Sequence, residues 1–416
     1  MSNKAKTTGM KGDGEAALTP RLRFPEFRGA EGWEEQTGDD LFDQINDRNT
    51  EPGLPVLAIT QEHGAIPRDM IDYHVSVTEK SIESYKVVQV GDFIISLRSF
   101  QGGIEYSQYH GICSPAYVIL RRRTEGSDAY FMHYLKTDRF IRILTRNLEG
   151  LRDGKMISYK QFSDLLLPVP APPEQQKIAD CLTSVDELIA AQARKLDALM
   201  THKNGLMQQL FPREGETHPR HRFPEFQNAG AWAKMTLGEA ATFYNGRAYN
   251  QEELLESGKY AVLRVGNFFT SKTWYYSNLE LDETKYCDDG DLLYAWSASF
   301  GPRVWRGEKT IYHYHIWKVV EHRGIDKQFL FITLENETEK MKAKTTNGLG
   351  IMHITKGAIE CWKTAFPSIA EQRKIAHCVS NLDALIVAET ENLELIKSHK
   401  AALMQQLFPS RGGFEV

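Results

Sequence analysis

Two short segments carry the side chains best suited to reading a nucleic-acid base. Arg98-Ser99-Phe100-Gln101-Gly102-Gly103 and Ser297-Ala298-Ser299-Phe300-Gly301-Pro302-Arg303 each follow an apolar run and combine arginine, glutamine or serine with glycine. Such polar side chains supply the donors and acceptors that match a base edge, and glycine lets the backbone approach a ligand. A second pair, residues 147–160 and 344–356, mixes glycine with Arg, Lys, Asn, Thr and His. Its cations suit phosphates and its amides suit bases. The candidate DNA-contacting residues are therefore Arg98, Ser99, Gln101, Arg146, Arg152 and Lys155 in the first half, with Asn267, Ser297, Ser299, Arg303, Lys344, Asn347 and Lys356 in the second. Taken singly, each segment reads better as a plain turn. Their recurrence at a set spacing tips the reading toward DNA.

Other polar clusters fall short of the chemistry they suggest. Gly150-Leu151-Arg152-Asp153-Gly154-Lys155-Met156 is a poor phosphate loop, with three residues between its glycines and Met where a magnesium-binding hydroxyl belongs. His313-Tyr314-His315 places two imidazoles on one face of a strand, but no Cys/His cluster accompanies them, so a strand surface is the better reading than a metal site. Asp288-Asp289-Gly290-Asp291 lacks the alternating oxygens and distal Glu of a calcium loop and reads as a turn. There is neither a glycine-rich cofactor loop opening a βαβ unit nor a Ser/His/Asp arrangement with usable context. The expectation is a chain with no catalytic residues, no metal and no cofactor of its own.

The composition agrees with a cytoplasmic binding protein. Five cysteines are scattered without a close pair, which argues for reduced thiols and against a disulfide framework or zinc site. No apolar run approaches the roughly 18 residues of a membrane span, and residues 1–19 read as a polar, disordered tail without a signal-peptide core. A net charge of −5 sits awkwardly with DNA binding. The charge is segregated, however. Residues 121–160 hold ten Lys/Arg against five Asp/Glu, residues 301–363 eleven against seven, and residues 237–291 only five against ten. One basic face and other faces for partners would give this pattern.

The elements that must position these segments are duplicated. Pro20-Arg21-Leu22-Arg23-Phe24-Pro25-Glu26-Phe27 recurs as Pro219-Arg220-His221-Arg222-Phe223-Pro224-Glu225-Phe226, an offset of 199 that also carries Trp33 onto Trp232 and Gly91-Asp92 onto Gly290-Asp291. Farther on, residues 174–212 match 371–409 at an offset of 197, with 20 of 39 positions identical. The chain is two copies of one unit, each a globular part followed by a helix.

Within those helices apolar residues recur in alternating steps of three and four. Leu182, Val185, Ile189, Leu196 and Leu199 form the seam of the first, and Val379, Leu382, Ile386, Leu393 and Ile396 that of the second. Gln192 and Lys203 interrupt the first seam where Glu389 and Lys400 interrupt the second. Matched polar interruptions are expected where two helices pair with each other and fix their alignment. An antiparallel pair of about 35 residues would be a rod of roughly 50 Å, on the order of 15 base pairs of B-DNA. The globular parts show short β-type runs at 56–60, 93–97, 117–120, 260–265, 292–296 and 316–320, then helices at 130–147 and 327–343.

The fold class expected is α+β: two similar mixed α/β recognition domains separated by two long antiparallel coiled-coil helices with pseudo-two-fold symmetry. The boundaries are a tail at 1–19, a first domain at 20–172, a helix at 173–212, a second domain at 213–369, a helix at 370–409 and a tail at 410–416.

The duplicated Glu-Gln-x-Lys-Ile-Ala helix, Glu174 to Ala179 and Glu371 to Ala376, with its Met-Gln-Gln-Leu-Phe-Pro ends, resembles the specificity subunits of type I restriction–modification systems. So do Tyr260-Ala261-Val262-Leu263-Arg264-Val265-Gly266-Asn267-Phe268 and Gly290-Asp291-Leu292-Leu293-Tyr294-Ala295-Trp296-Ser297, which are similar to that family's target recognition domains. The resemblance covers about residues 20 to 410. It implies a bacterial or archaeal cytoplasmic protein that reads a bipartite, non-palindromic site in double-stranded DNA. The helices would be spacer and docking surface for two methyltransferase subunits, and restriction subunits would join them. S-adenosylmethionine, ATP and magnesium would be used by those partners, not by this chain. Pro367-Ser368-Ile369-Ala370 departs from Pro170-Ala171-Pro172-Pro173 at the entry to the second helix. The competing reading is a coiled-coil scaffold whose globular parts bind proteins.

Overall fold

The computed structural model describes residues 18–49, 51–71, 82–146, 157–297, 300–345 and 354–409. Two long helices, Pro172–Leu210 and Ile369–Leu407, run uninterrupted where the heptad pattern places them. The chain divides into two compact units, residues 1–193 with 392–416 and residues 194–391. Each division falls inside a long helix, so the units do not follow the boundaries at 172 and 369.

The reason is that helix ends complete the cores. In the first unit Ile178, Ala179 and Leu182 from the start of one helix and Leu407 and Phe408 from the end of the other join Trp33, Phe42, Phe93 and Tyr130. In the second, Met207, Leu210 and Phe211 meet Ile375, Ala376 and Val379 beside Trp232, Phe243 and Phe329. Within each unit the start of one helix lies by the end of the other, so the two segments run antiparallel. All ten seam residues, Leu182 to Leu199 and Val379 to Ile396 as given above, are buried or half-buried. Among the polar interruptions, Gln192 is buried, Lys400 Nζ lies 2.5 Å from Asp186 in the first unit, and Lys203 Nζ lies 2.5 Å from Asp383 in the second. The same Lys–Asp contact thus closes the helix pair in both units.

Each globular part is layered around a four-stranded antiparallel sheet. Its order in the first is Phe42–Ile45, Val118–Arg122, Phe93–Ile95, Glu105–Tyr106, and in the second Ala241–Asn245, Ile316–Glu321, Leu292–Ala295, Gly301–Val304. Side chains alternate across a sheet. Phe93, Ile95 and Leu120 enter the core with the helices, whereas Ile94 and Ile119 pack on the other face with Leu57, Val88 and Cys113. Both faces are covered, which is why these strands read as continuous apolar runs rather than alternating ones.

The covering helices differ between the copies. The second has one helix, Lys327–Thr345. The first has two, Asp128–Tyr134 and Asp138–Thr145, where the sequence suggests a single one at 130–147. Thr137 breaks it: its hydroxyl accepts from the Phe140 N–H at 3.2 Å and caps a new helix. The freed Leu135 carbonyl accepts from Ile104 N–H at 3.2 Å.

A second antiparallel pair, Glu34–Thr37 with Leu166–Val169 and Ala233–Thr236 with Lys363–Phe366, leads into each long helix. Here the Arg-Phe-Pro-Glu-Phe repeat finds its purpose. Arg23 donates from Nε and Nη2 to both oxygens of Glu174 at 2.8 Å, and Arg222 donates likewise to Glu371 at 2.7 Å. The Leu22 N–H donates to the Gln406 carbonyl and the His221 N–H to that of Gln209, both at 3.0 Å. One segment therefore grips the start of one helix and the end of the other.

Candidate nucleic-acid interface

In both domains the chain crosses from one sheet to the next by a tight turn at an equivalent point, between strands Gly111–Cys113 and Val118–Arg122 in the first and between Thr310–Tyr312 and Ile316–Glu321 in the second. Charged and aromatic groups gather at these turns.

In the first domain the turn ends at Tyr117, half-buried against the apolar cluster of Leu57, Val88, Ile94, Cys113 and Ile119. Burial raises the pKa of its hydroxyl, while the charges of Arg68 and Arg98 oppose that shift. Lys86 donates to the Tyr117 carbonyl at 2.7 Å. Burial pulls the Lys86 ammonium below its ordinary range, and the nearby Arg48 charge adds to that. Other arginines of this domain are neutralised: Arg121 by Asp92 at 2.7 Å, Arg122 by Asp128, Arg123 by Asp43. By contrast, no carboxylate or carbonyl receives the side chains of Arg48, Arg68 or Arg98 among the described residues, and Arg68 Nη1 is buried without a partner. Two unneutralised guanidiniums, Arg68 and Arg98, near Tyr117, with Arg48 near Lys86, form an anion-attracting patch.

In the second domain His313, Tyr314 and His315 form the turn itself rather than one face of a strand. The Ile316 N–H donates to the His313 carbonyl at 2.9 Å, closing a reversal the chain needs to enter the next sheet. The rings crowd together, with His313 and His315 centroids 4.9 Å apart and Tyr314 and His315 3.9 Å apart. Trp296 joins them, donating from Nε1 to the Tyr314 carbonyl at 2.7 Å. Burial above all, together with the Arg264 charge beside it, depresses the pKa of His313 to about 4, and burial lowers that of His315. Both imidazoles are therefore neutral at physiological pH. Among the described residues no group of three or more His, Cys, Asp or Glu is placed to hold a metal ion.

The candidates from the sequence are distributed unevenly. Arg98 and Gln101 are exposed, Arg98 near Tyr117, whereas Ser99 is buried and its Oγ accepts from the Ser96 N–H at 2.9 Å, so it holds the local 96–99 bend and does not face solvent. Arg146 is exposed at the end of its helix. In the second domain Arg303 is exposed over Phe269, 5.1 Å from the ring centroid. Ser297 is half-buried, and Asn267 donates to the carbonyls of Ser271 and Thr273. Lys356 lies 3.5 Å from Glu360 at the start of a short helix. Arg152, Lys155, Ser299 and Asn347, the loop at 150–156, and the side chain of Lys344 lie outside the described residues. Asp288-Asp289-Gly290-Asp291 forms a turn, with Gly290 at φ 85° and Asp291 accepting from the Asp288 N–H at 2.9 Å. Sequence reasoning missed Arg48, Arg68, Tyr117, Arg264 and Tyr314. One signal was available: Arg68 and Arg264 each follow a short apolar run directly, as a cation at a strand end.

A duplicated α+β protein with polar, aromatic-lined turns at matching points, no membrane-length apolar helix among the described residues and two matched helices defines a paired-domain recognition protein. The family model for the type I restriction modification DNA specificity domain matches residues 31–201 and 230–398, and the chain belongs to that family: it is a subunit conferring DNA sequence specificity. Among curated proteins it is similar to the type I restriction enzyme MjaVIII specificity subunit of Methanocaldococcus jannaschii, 24% identical over 357 residues, covering 81% of this chain and 82% of that one. It is also similar to the EcoBI specificity subunit of Escherichia coli, 20% identical over 168 residues, covering 40% and 35% respectively. The type I restriction–modification S subunit from M. genitalium shares the fold at a TM-score of 0.52 with 17% identity, covering 95% of this chain and all of that one. A chain from a structural study of type I R-M complex assembly and conformational transition does so at 0.56 with 17% identity, covering 91% and 98%.

Proposed function

We propose that the chain reads a bipartite, non-palindromic DNA site, one half through each domain, and carries no catalysis itself. The carrying observation is the repeated turn: unneutralised arginines around Tyr117 in one domain, and an aromatic and imidazole cluster beside Arg264 in the other. Equivalent placement supports a common role, and different chemistry supports different half-sites. The long helices would dock two methyltransferase subunits, joined by restriction subunits. Supporting this, Leu188 and Leu385 occupy equivalent helix positions and remain 52% and 42% exposed, apolar surface that a partner would cover. S-adenosylmethionine, ATP and magnesium would be used by those partners.

Selection of bound duplexes from a random pool, using the chain co-expressed with its methyltransferase, is expected to recover two short motifs separated by unspecified bases. A single continuous motif, or no enrichment, would refute the reading. Replacing Arg68 and Arg98 together with alanine is expected to weaken binding across all sequences. It should also reduce the slope of log affinity against log salt by about two, roughly one for each lost phosphate contact. An unchanged slope in a filter-binding titration would place the phosphate contacts elsewhere.

A further inference from the structure

Arg264 is held unlike its neighbours in the second domain. Arg247 forms a two-point pair with Glu253, at 2.7 and 3.0 Å, and is neutralised there. Arg303 is exposed. Arg264 follows strand Tyr260–Leu263 and is half-buried, its guanidinium 4.2 Å from the centroid of the Tyr275 ring. Its backbone is fixed on both sides. The Phe268 N–H donates to the Arg264 carbonyl at 3.0 Å, and the His313 N–H donates to the carbonyl of Leu263 at 2.9 Å, which sets the imidazole turn beside it. Nε is buried without a partner, and no side-chain acceptor meets the guanidinium among the described residues.

We propose that Arg264 is a specificity-determining residue, its terminal nitrogens donating to the N7 and O6 acceptors of a guanine in the half-site read by the second domain. This rests on the DNA-reading function proposed above. With Nε turned into the protein, the two terminal nitrogens remain as an end-on fork. Stacking on Tyr275 fixes the plane of that fork. A phosphate oxygen accepts over a wide range of directions and gains little from a fixed plane. A base edge demands coplanarity, and guanine alone offers two adjacent acceptors in the major groove. The neutral His313 and His315 leave Arg264 as the charged donor at this turn, and they can exchange single hydrogen bonds with neighbouring bases.

The test is site selection with the wild-type, Arg264→Ala and Arg264→Lys complexes, together with 7-deazaguanine placed in the wild-type site. Both variants are expected to lose discrimination at one G·C pair in one half-site, by roughly ten- to hundred-fold, with the other half-site unchanged. Lysine keeps the charge but not the fork, so it should not rescue. Removing the guanine N7 should weaken wild-type binding about ten-fold, a result independent of whether either variant folds. Uniform weakening over all sequences with rescue by lysine would make Arg264 a phosphate contact and overturn the proposal, as would indifference to 7-deazaguanine at every guanine of that half-site. A wild-type complex that selects no split site would instead overturn the reading beneath it.

Discussion

Glu371→Ala is expected to destabilise the second unit by about 3–5 kcal/mol, measured as a lowered midpoint in urea unfolding. Glu371 is 1% exposed and accepts two charge-assisted bonds from Arg222, itself 10% exposed. These bonds hold the Arg222 guanidinium above its ordinary pKa, and a guanidinium keeps its charge at neutral pH even when its partner is removed. The Ala229 and Gly230 carbonyls still accept from Nη1, at 2.6 and 3.1 Å, but they supply no counter-charge. The Trp232 indole also loses its 3.4 Å contact with the carboxylate. Replacing both partners with leucine should cost less than Glu371→Ala, because neither charge is then buried alone. If the single variant loses under about 1 kcal/mol of unfolding free energy, solvent must reach the clamp.

Acid should loosen the first unit through His133. This side chain is 3% exposed, with Nε2 3.3 Å from Thr183 Oγ1 and Nδ1 3.8 Å from Asp186. Burial, then the Lys400 charge, lowers its pKa to about 4, and Asp186 only partly opposes this. In the unfolded chain the value is about 6.5. The unfolded state therefore binds the proton more readily between these values. The stability contribution is complete above about pH 6.5 and is lost as pH falls toward 4. Linkage therefore makes the first unit less stable at pH 5 than at pH 7.5. His133→Gln cannot titrate and should remove that part of the pH dependence in urea unfolding at the two pH values. An identical pH dependence in the variant would assign the acid sensitivity to other groups. The second unit places Glu335 near its own Lys–Asp contact, 3.8 Å from Lys203, where burial raises the carboxyl pKa. The two junctions should thus respond differently to acid.

The clamp and the helices were legible in the sequence for different reasons. A heptad pattern is local and periodic, so burial follows the seam from Ile178 to Leu210 residue by residue. The Arg-Phe-Pro-Glu-Phe repeat was visible as a repeat, but its partners lie about 150 residues away in Glu174 and Glu371, and no local signal names them. The strand runs were found where both faces are covered. Short strands such as Lys86–Val88 and Gly111–Cys113 were missed, because three residues carry too little pattern to register.

By itself the sequence determined the duplication, the two long helices, the register of their polar interruptions and the resemblance that points to DNA, because repetition and periodicity are properties of order along the chain. Only the tertiary structure decided that each unit takes half of both helices into its core, that Ser99 turns inward, and that Arg68, Arg98 and Tyr117, or Arg264, Tyr275 and His313, share one place. Those groupings depend on which guanidiniums find carboxylates and which do not. That outcome is set by contacts between residues far apart in the chain, where local pattern carries no information.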